Sequence, residues 1–217
     1  MANLRYGMYG GAYYGSFFNE SEPLNQTEME LNAIYIFQVL HYVHGWTPNS
    51  IAAMLGNMTA ESSINPGRWQ SDSVGSYSLG YGLVQWTPVT KYTDWCSQQG
   101  YSDPSEMDNN ISRILYEVEN KIQWYATDSY NFSFAEFTKS EDNPGTLAKA
   151  FLLNYERPAD QSESVQNYRA SLGEHWYTFI TGFEPSEPTK KTKKKDNYNF
   201  VLFNQNRRRK RWKSKKY

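Results

Sequence analysis

The feature that most constrains this chain is the segment from Thr47 to Pro88, which predicts a helix followed by a loop rich in glycine and aromatic residues. Thr47 is a favourable N-cap, and Pro48 suits the first helical position because the N–H that it lacks would be unpaired there. We expect the helix to run to about Ser62, since the run NPG at 65–67 stops it. The segment therefore predicts a helix whose last turn meets a loop.

One carboxylate, Glu61, falls on the apolar side of this helix. The apolar residues have the i, i+3, i+4, i+7 spacing of a buried stripe and are Ile51, Met54, Leu55 and Met58. Glu61 continues that stripe, so we expect burial to raise its pKa and the protonated side chain to suit a general acid. The alternative is an ordinary solvent-facing glutamate, because unpaired glutamate is rarely buried.

The loop after this helix has the composition of a carbohydrate-binding surface. The run GYGLVQW at residues 80–86 offers glycine backbone that a ligand can approach closely, one amide and several aromatic faces. Aromatic residues make up 17% of the chain, which suits sugar stacking and equally suits core packing. Together with Glu61, the loop predicts a site that cleaves a sugar polymer.

Helical patterns continue along most of the chain. Thr27 opens a capping-box pattern and a largely apolar helix that should end at Gly45. Thr87-Pro88 repeats the cap-plus-proline signal and should start a shorter helix. Further helices are expected over about 105–125, 134–139, 143–157 and 162–181. We therefore expect a mostly α fold, with at most a minor sheet or small β-hairpin between residues 65 and 86.

Three separated blocks of the sequence resemble a known family. ESSINP (61–66), GYGLVQWTP (80–88) and LLNYERPA (152–159) are similar to lysozyme-like peptidoglycan hydrolases related to the goose-type and soluble lytic transglycosylase groups. The fuller pattern resembles the lysozyme domain of phage tail-knob hydrolases, over about residues 27 to 182. The resemblance implies an α+β lysozyme-like helical bundle around a substrate cleft. It also implies a tail component of the virion that locally degrades the host cell wall during DNA entry.

The resemblance implies that Glu61 is the acid that protonates the glycosidic oxygen between N-acetylmuramic acid and N-acetylglucosamine. Hydrolysis usually needs a second carboxylate, and Asp72 is the candidate, although an aspartate between serines is also common in turns. If Asp72 is too distant, the site has one essential carboxylate, as in lytic transglycosylases. In those enzymes the C6 hydroxyl of the sugar closes an anhydro ring in place of attack by water.

Five further residues are candidates for binding the substrate. Gln85 could orient the N-acetyl group or a water through its amide, and Tyr155 could hold the substrate or Glu61 by a hydrogen bond. Both residues are equally plausible as structural hydrogen-bond partners. The candidates for lining the sugar subsites are Tyr81, Trp69 and Trp86. The resemblance implies neither a metal nor an organic cofactor.

The two ends of the chain differ in composition from its middle. Residues 1–26 predict an irregular arm rich in glycine and tyrosine, without the apolar core of a signal peptide, and residues 27–183 form the expected catalytic domain. Residues 184–217 predict a basic, flexible tail. Residues 189–217 hold thirteen Lys or Arg against the single acid Asp196, whereas residues 1–188 hold nine against twenty-two acids. Such a tail could bind nucleic acid, an anionic wall polymer or other virion proteins, or remain solvated.

Other residue types restrict the remaining function classes. The single cysteine, Cys96, excludes an intrachain disulfide, and the three scattered histidines do not predict a metal site. No run of about 20 apolar residues predicts a transmembrane helix. Two other classes stay open beside the enzyme: a lysozyme-like domain that only binds glycan, and a virion structural protein that binds nucleic acid through its tail.

Overall fold

The helix that carries Glu61 lies at the centre of the fold. The computed structural model describes residues 23–182, without the side chain of Asp72, and the backbone of two short strands, β1 (Arg5–Tyr6) and β2 (Ala12–Tyr13). These strands pair antiparallel, with Arg5 opposite Tyr13. Most of the arm expected over 1–26 and the basic tail expected over 184–217 lie outside the described residues.

Seven α-helices follow in the described part of the chain. Their bounds are α1 Gln26–Phe37, α2 Pro48–Ser62, α3 Thr90–Gln99, α4 Met107–Asn120, α5 Phe134–Phe137, α6 Pro144–Phe151 and α7 Glu163–Gly182. Two of them continue as π-helical turns, α1 into Gln38–Val43 and α6 into Leu152–Glu156. The mostly α fold predicted from the sequence is confirmed. None of the described helices combines the length and the apolar character needed to cross a bilayer.

The α2 helix has the ends and the buried face that the sequence predicts. Thr47 caps it, with its side chain accepting from the backbone N–H of Ser50, and Pro48 is its first residue. The stripe from Ile51 to Met58 is buried in the core. The helix ends at Ser62, where Ser63 adopts a left-handed conformation with φ of 54°.

Close approach of two helix backbones fixes the position of α2 against α7. A Cβ added to Gly56 would lie 2.6 Å from the backbone nitrogen of Gly173, so side chains at these positions would push the helices apart. On the other side of Gly173, a Cβ would lie 2.9 Å from the carbonyl oxygen of Pro144, at the start of α6. The α2, α6 and α7 helices therefore pack around a contact made of glycines.

Several helix boundaries differ from the sequence prediction. The capping box of α1 is formed by Asn25 and Glu28, two residues earlier than the pattern at Thr27 predicts, and α1 changes to a π-helical turn before Gly45. The α3 helix starts at Thr90, after Val89 and without a side-chain cap, and the Thr87 hydroxyl donates instead to the carbonyl of Gln85. The shift at α1 arises because Asn25 and Thr27 are both suitable caps close to the helix start.

The segment between α2 and α3, where the sequence predicts at most a minor sheet or small hairpin, contains isolated β-bridges and no strand among its described residues. Isolated antiparallel bridges join Trp69 to Tyr81 and Tyr81 to Trp86. A short 3₁₀ helix, Gln70–Asp72, follows Trp69. This segment folds over the end of α2 and forms one wall of the pocket that contains Glu61.

Candidate active site

A polar pocket of about 400 Å³ opens at the C-terminal end of α2. Its walls come from the end of α2, the loop between α2 and α3, and the turn after the Leu152–Glu156 segment. The lining residues are Glu61, Arg68, Trp69, Gln70, Ser71, Gln85, Thr87, Glu156, Arg157, Pro158 and Ala159. Three of the residues predicted for the site, Glu61, Trp69 and Gln85, thus line one pocket.

Glu61 reaches this pocket from the last turn of α2 and is ion-paired to α7. Its Oε1 accepts a hydrogen bond from Nη2 of Arg169 at 2.7 Å, while the side chain is 20% exposed. Arg169 is itself nearly buried, and its Nη1 donates to the carbonyl oxygen of Asn57 at 2.9 Å. The Gly56–Gly173 contact brings Arg169 within reach, because Arg169 lies one turn before Gly173 on α7.

Burial raises the pKa of Glu61, and the nearby Arg169 guanidinium opposes that rise. The direction is the one that the apolar stripe predicts, because removal from water disfavours the charged carboxylate. Glu61 therefore keeps its proton to higher pH than an exposed glutamate, although it faces a cation. A carboxylic acid in this state can protonate a leaving oxygen.

A second carboxyl group, Glu156, lines the same pocket and was not predicted from the sequence. Its Oε1 is buried and has no hydrogen-bond partner among the described residues. Burial, followed by the negative charge of Glu61, raises the pKa of Glu156 well above its usual range, and Arg169 opposes this. The only signal in the sequence was its place next to Tyr155 in the NYERP run.

Tyr155 and Trp86 lie in the core and do not face the pocket. Both are almost fully buried, and both donate hydrogen bonds to the buried carboxylate of Glu117 on α4. The Tyr155 hydroxyl lies 2.5 Å from Oε2, and Nε1 of Trp86 lies 3.0 Å from Oε1. Arg113 completes the group, with its Nε 2.9 Å from Oε1 of Glu117. These residues join α4 to the loop and to the turn that carries Glu156.

Of the other predicted binding residues, some line the pocket wall and others pack behind it. Trp69 is half-buried in the wall, and Tyr81 is buried behind it with the two ring centres 4.8 Å apart. Gln85 has a left-handed backbone with φ of 50°, and its Nε2 donates to the carbonyls of Arg68 and Gly82. Its Oε1 is buried without a hydrogen-bond partner among the described residues. Gln85 thus holds the loop closed at the edge of the pocket.

Asp72 stays a prediction. Its backbone ends the 3₁₀ helix after Gln70 and Ser71, two residues that line the pocket, but its side chain lies outside what the structure describes. Within residues 23–182, no group of three or more His, Cys, Asp or Glu side chains is placed to hold a metal ion.

The helical domain and the buried glutamate at its pocket define a lysozyme-like protein, and comparison with known families agrees. Residues 31–180 match the family model of phage tail lysozymes, so the chain belongs to this family. Over 166 residues it is 45% identical to Morphogenesis protein 1 of Bacillus phage B103. The match covers 76% of this chain and 44% of the relative, so the chain spans less than half of that protein's length.

Proposed function

We propose that this protein is a peptidoglycan hydrolase that cleaves the β-1,4 bond between N-acetylmuramic acid and N-acetylglucosamine. We further propose that it acts from the phage tail, where it locally degrades the host wall during DNA entry. The observation that carries the proposal is Glu61, a partly buried carboxyl group with a raised pKa in a pocket that is open to a ligand. Membership of the phage tail lysozyme family supports the substrate class.

In the proposed mechanism, Glu61 gives its proton to the glycosidic oxygen as the bond to the anomeric carbon breaks. The positive charge that develops on the sugar is stabilised by the carboxylate that remains. Trp69 offers an aromatic face at the pocket wall for sugar packing, and Gln85 keeps the loop in place beside it. Tyr155 and Trp86 act indirectly, because their hydrogen bonds to Glu117 hold the two walls together.

Cleavage by a lytic transglycosylase reaction is the second candidate. The observation that favours it is that the two described carboxyl groups of the pocket, Glu61 and Glu156, both have raised pKa values. Burial therefore disfavours ionisation of both groups, whereas activation of an attacking water needs an ionised carboxylate. In this reaction the deprotonated Glu61 would instead take the proton of the sugar's own C6 hydroxyl.

Mass spectrometry of fragments released from purified Gram-positive peptidoglycan tests both candidates. Wild type, Glu61→Gln and Asp72→Asn are compared. Reducing-end muropeptides that disappear in both variants indicate a two-carboxylate hydrolase. Anhydro-muropeptides that disappear only with Glu61→Gln indicate a transglycosylase. A folded wild type that binds peptidoglycan and releases no fragments would contradict the enzymatic proposal and favour a glycan-binding protein.

A further inference from the structure

Two carboxyl groups, Glu61 and Glu156, line one pocket, and the nearly buried Arg169 is ion-paired to Glu61. Glu61 comes from α2, Arg169 from α7 and Glu156 from the end of the π-helical turn after α6. Arg169 is hydrogen-bonded to Glu61, and the charge of Glu156 interacts with both. The cluster therefore holds two carboxyl groups and one guanidinium in surroundings that are largely removed from water.

The charges of this cluster balance only when it holds one proton. With no proton, two carboxylates face one cation, and the excess negative charge is largely removed from water. With two protons, the nearly buried Arg169 has no negative partner in the cluster. Both states are costly, because a buried charge needs a compensating partner. Two carboxyl groups that share a site normally lose their protons in separate steps that belong to the pair.

We propose that Glu61 and Glu156 form a proton-sharing pair, which Arg169 keeps in its singly protonated state, and that the shared proton is the one delivered to the substrate. The second half of this inference rests on the proposed function. Glu156 is thereby a positioning residue, because it acts on the substrate only through Glu61. Its charge helps to set whether Glu61 is protonated.

The residues on both sides of Glu156 are held by hydrogen bonds, and its own carboxyl oxygen Oε1 is buried without a hydrogen-bond partner among the described residues. The preceding residue, Tyr155, is bound to Glu117 through its hydroxyl and to Nε2 of Gln123 through its carbonyl. The following residue, Arg157, donates its N–H to the carbonyl of Leu152 at 2.8 Å. The backbone thus places Glu156 at the wall of the pocket that Glu61 also lines.

Other charged groups around the pair act in both directions. Glu117, behind Tyr155, adds negative charge that raises the pKa of Glu156, although Arg113 partly compensates it. The Arg169 guanidinium favours ionisation of the pair, while burial and Glu117 oppose it. Together, these opposing effects favour the state in which the pair holds one proton.

The proton balance of the reaction is simple. The proton passes from the carboxyl of Glu61 to the glycosidic oxygen, and the electron pair of the breaking C–O bond goes to that oxygen. If the shared proton lies on Glu156, it moves to Glu61 before this transfer. After the transfer both carboxyl groups are ionised, beside the positively charged sugar. The attacking hydroxyl, from water or from C6 of the sugar, forms the new bond to the anomeric carbon and returns its proton to the pair.

The direct test is a carboxyl ¹³C NMR titration of the full chain, which needs no activity. Wild type, Glu61→Gln, Glu156→Gln and Glu119→Gln are compared, the last being an exposed glutamate on α4. We expect two coupled steps in wild type. Removal of either partner should lower the upper titration step of the other by roughly one pH unit or more, with no change for Glu119→Gln. If the titration of each partner is unchanged when the other is removed, the pair does not exist.

The pH profile of kcat/KM tests the link to catalysis. In Glu156→Gln, Glu61 has no partner to retain the proton, so the alkaline limb should move to lower pH while activity on the acid side is kept. A rate that falls equally at every pH, with the limb unmoved, would mean a purely structural role and would overturn the inference. If wild type does not cleave peptidoglycan, the proposed function fails, and the titration still decides whether the pair exists. If Glu156→Gln does not fold, the same coupling is measured from the titration of Glu156 in Glu61→Gln, compared with wild type.

Discussion

At the scale of single residues, the pocket is defined by how each carboxyl group is compensated. Glu117 is fully buried, but it accepts hydrogen bonds from Trp86 and Tyr155 and pairs with Arg113, so it acts as a structural group. Glu61 has one cationic partner and faces the pocket. Glu156 has a buried oxygen without a hydrogen-bond partner among residues 23–182. Glu61 and Glu156 thus have fewer compensating partners than Glu117, which makes them the candidates for a functional role.

Replacement of Glu61 tests the acid directly. Glu61→Gln keeps the size of the side chain and a hydrogen-bonding oxygen for Arg169, but it has no proton to donate. We expect the rate of peptidoglycan cleavage to fall by roughly 10²- to 10⁴-fold, with little change in thermal stability. The measurement is release of soluble fragments at several pH values. Glu119→Gln should match wild type, and unchanged cleavage by Glu61→Gln would rule out Glu61 as the acid.

The stability of the protein should depend on pH through Glu156. Its pKa is raised by folding above the usual value of 4.5, so the folded state binds the proton more tightly than the unfolded state. The free energy of unfolding should therefore fall as the pH rises above about 4.5, through the folded-state pKa. Glu156→Gln removes this dependence, so its stability relative to wild type should increase with pH. Urea unfolding at pH 4, 6 and 8 measures this, and a difference that is constant across pH would contradict it.

At the scale of elements, the close contact between α2 and α7 brings Arg169 and Glu61 together. Gly56 and Gly173 allow the two backbones to approach, and this approach brings Arg169 to Glu61. The π-helical turn at Leu152–Glu156 has a comparable effect from the other side, because it ends with Glu156 at the pocket and Tyr155 in the core. Such turns are frequently found at functional sites.

Substitution of Gly56 tests this contact. A Cβ at this position would lie 2.6 Å from the backbone nitrogen of Gly173 and 3.1 Å from the carbonyl oxygen of Arg169, so α2 and α7 must separate. We expect Gly56→Ala to lower the free energy of unfolding by about 1–3 kcal/mol and to reduce cleavage through displacement of Arg169. Gly182→Ala, on α7 with no atom within 4 Å of the added Cβ, is the matched control. Equal stability of the two variants would show that the contact can relax without cost.

At the scale of the whole molecule, the charge of the chain is divided between two regions. Residues 1–188 carry nine Lys or Arg against twenty-two acids, and residues 189–217 carry thirteen against one. Anionic polymers are repelled by the acidic part of the chain and attracted by its basic part. Binding of nucleic acid or of a wall polymer by this segment stays a prediction, since these residues lie outside the described part of the chain.

Neutralisation of the run RRRKR at residues 207–211 tests this role. Replacement by glutamine should weaken binding to teichoic acid or DNA and make the salt dependence shallower, because fewer counterions are released. The matched control replaces the four arginines by lysine, which keeps the charge. Cleavage of short soluble fragments should be equal in all three proteins. Binding that is insensitive to both salt and substitution would exclude an electrostatic role for the tail.

The local structure around Glu61 and the family of the fold are predictable from short stretches of the sequence. Thr47, Pro48 and the apolar spacing up to Glu61 specify α2, because capping and helical periodicity depend on residues within a few positions of one another. The three separated blocks specified the family for the same reason, since each is a contiguous run. The start of α1 was less well predicted because neighbouring polar residues compete as caps, and α3 starts without a side-chain cap at all.

The distant groups around Glu61 could not be predicted from the sequence and follow from how the helices pack. Arg169 lies 108 positions further along the chain, and no local pattern predicts that it would pair with Glu61. The same holds for Tyr155, which is bound to Glu117 across 38 positions and is turned into the core, leaving Glu156 at the pocket. Such pairings depend on how closely whole helices approach, which is set by packing contacts such as Gly56 with Gly173 and not by the residues next to each partner.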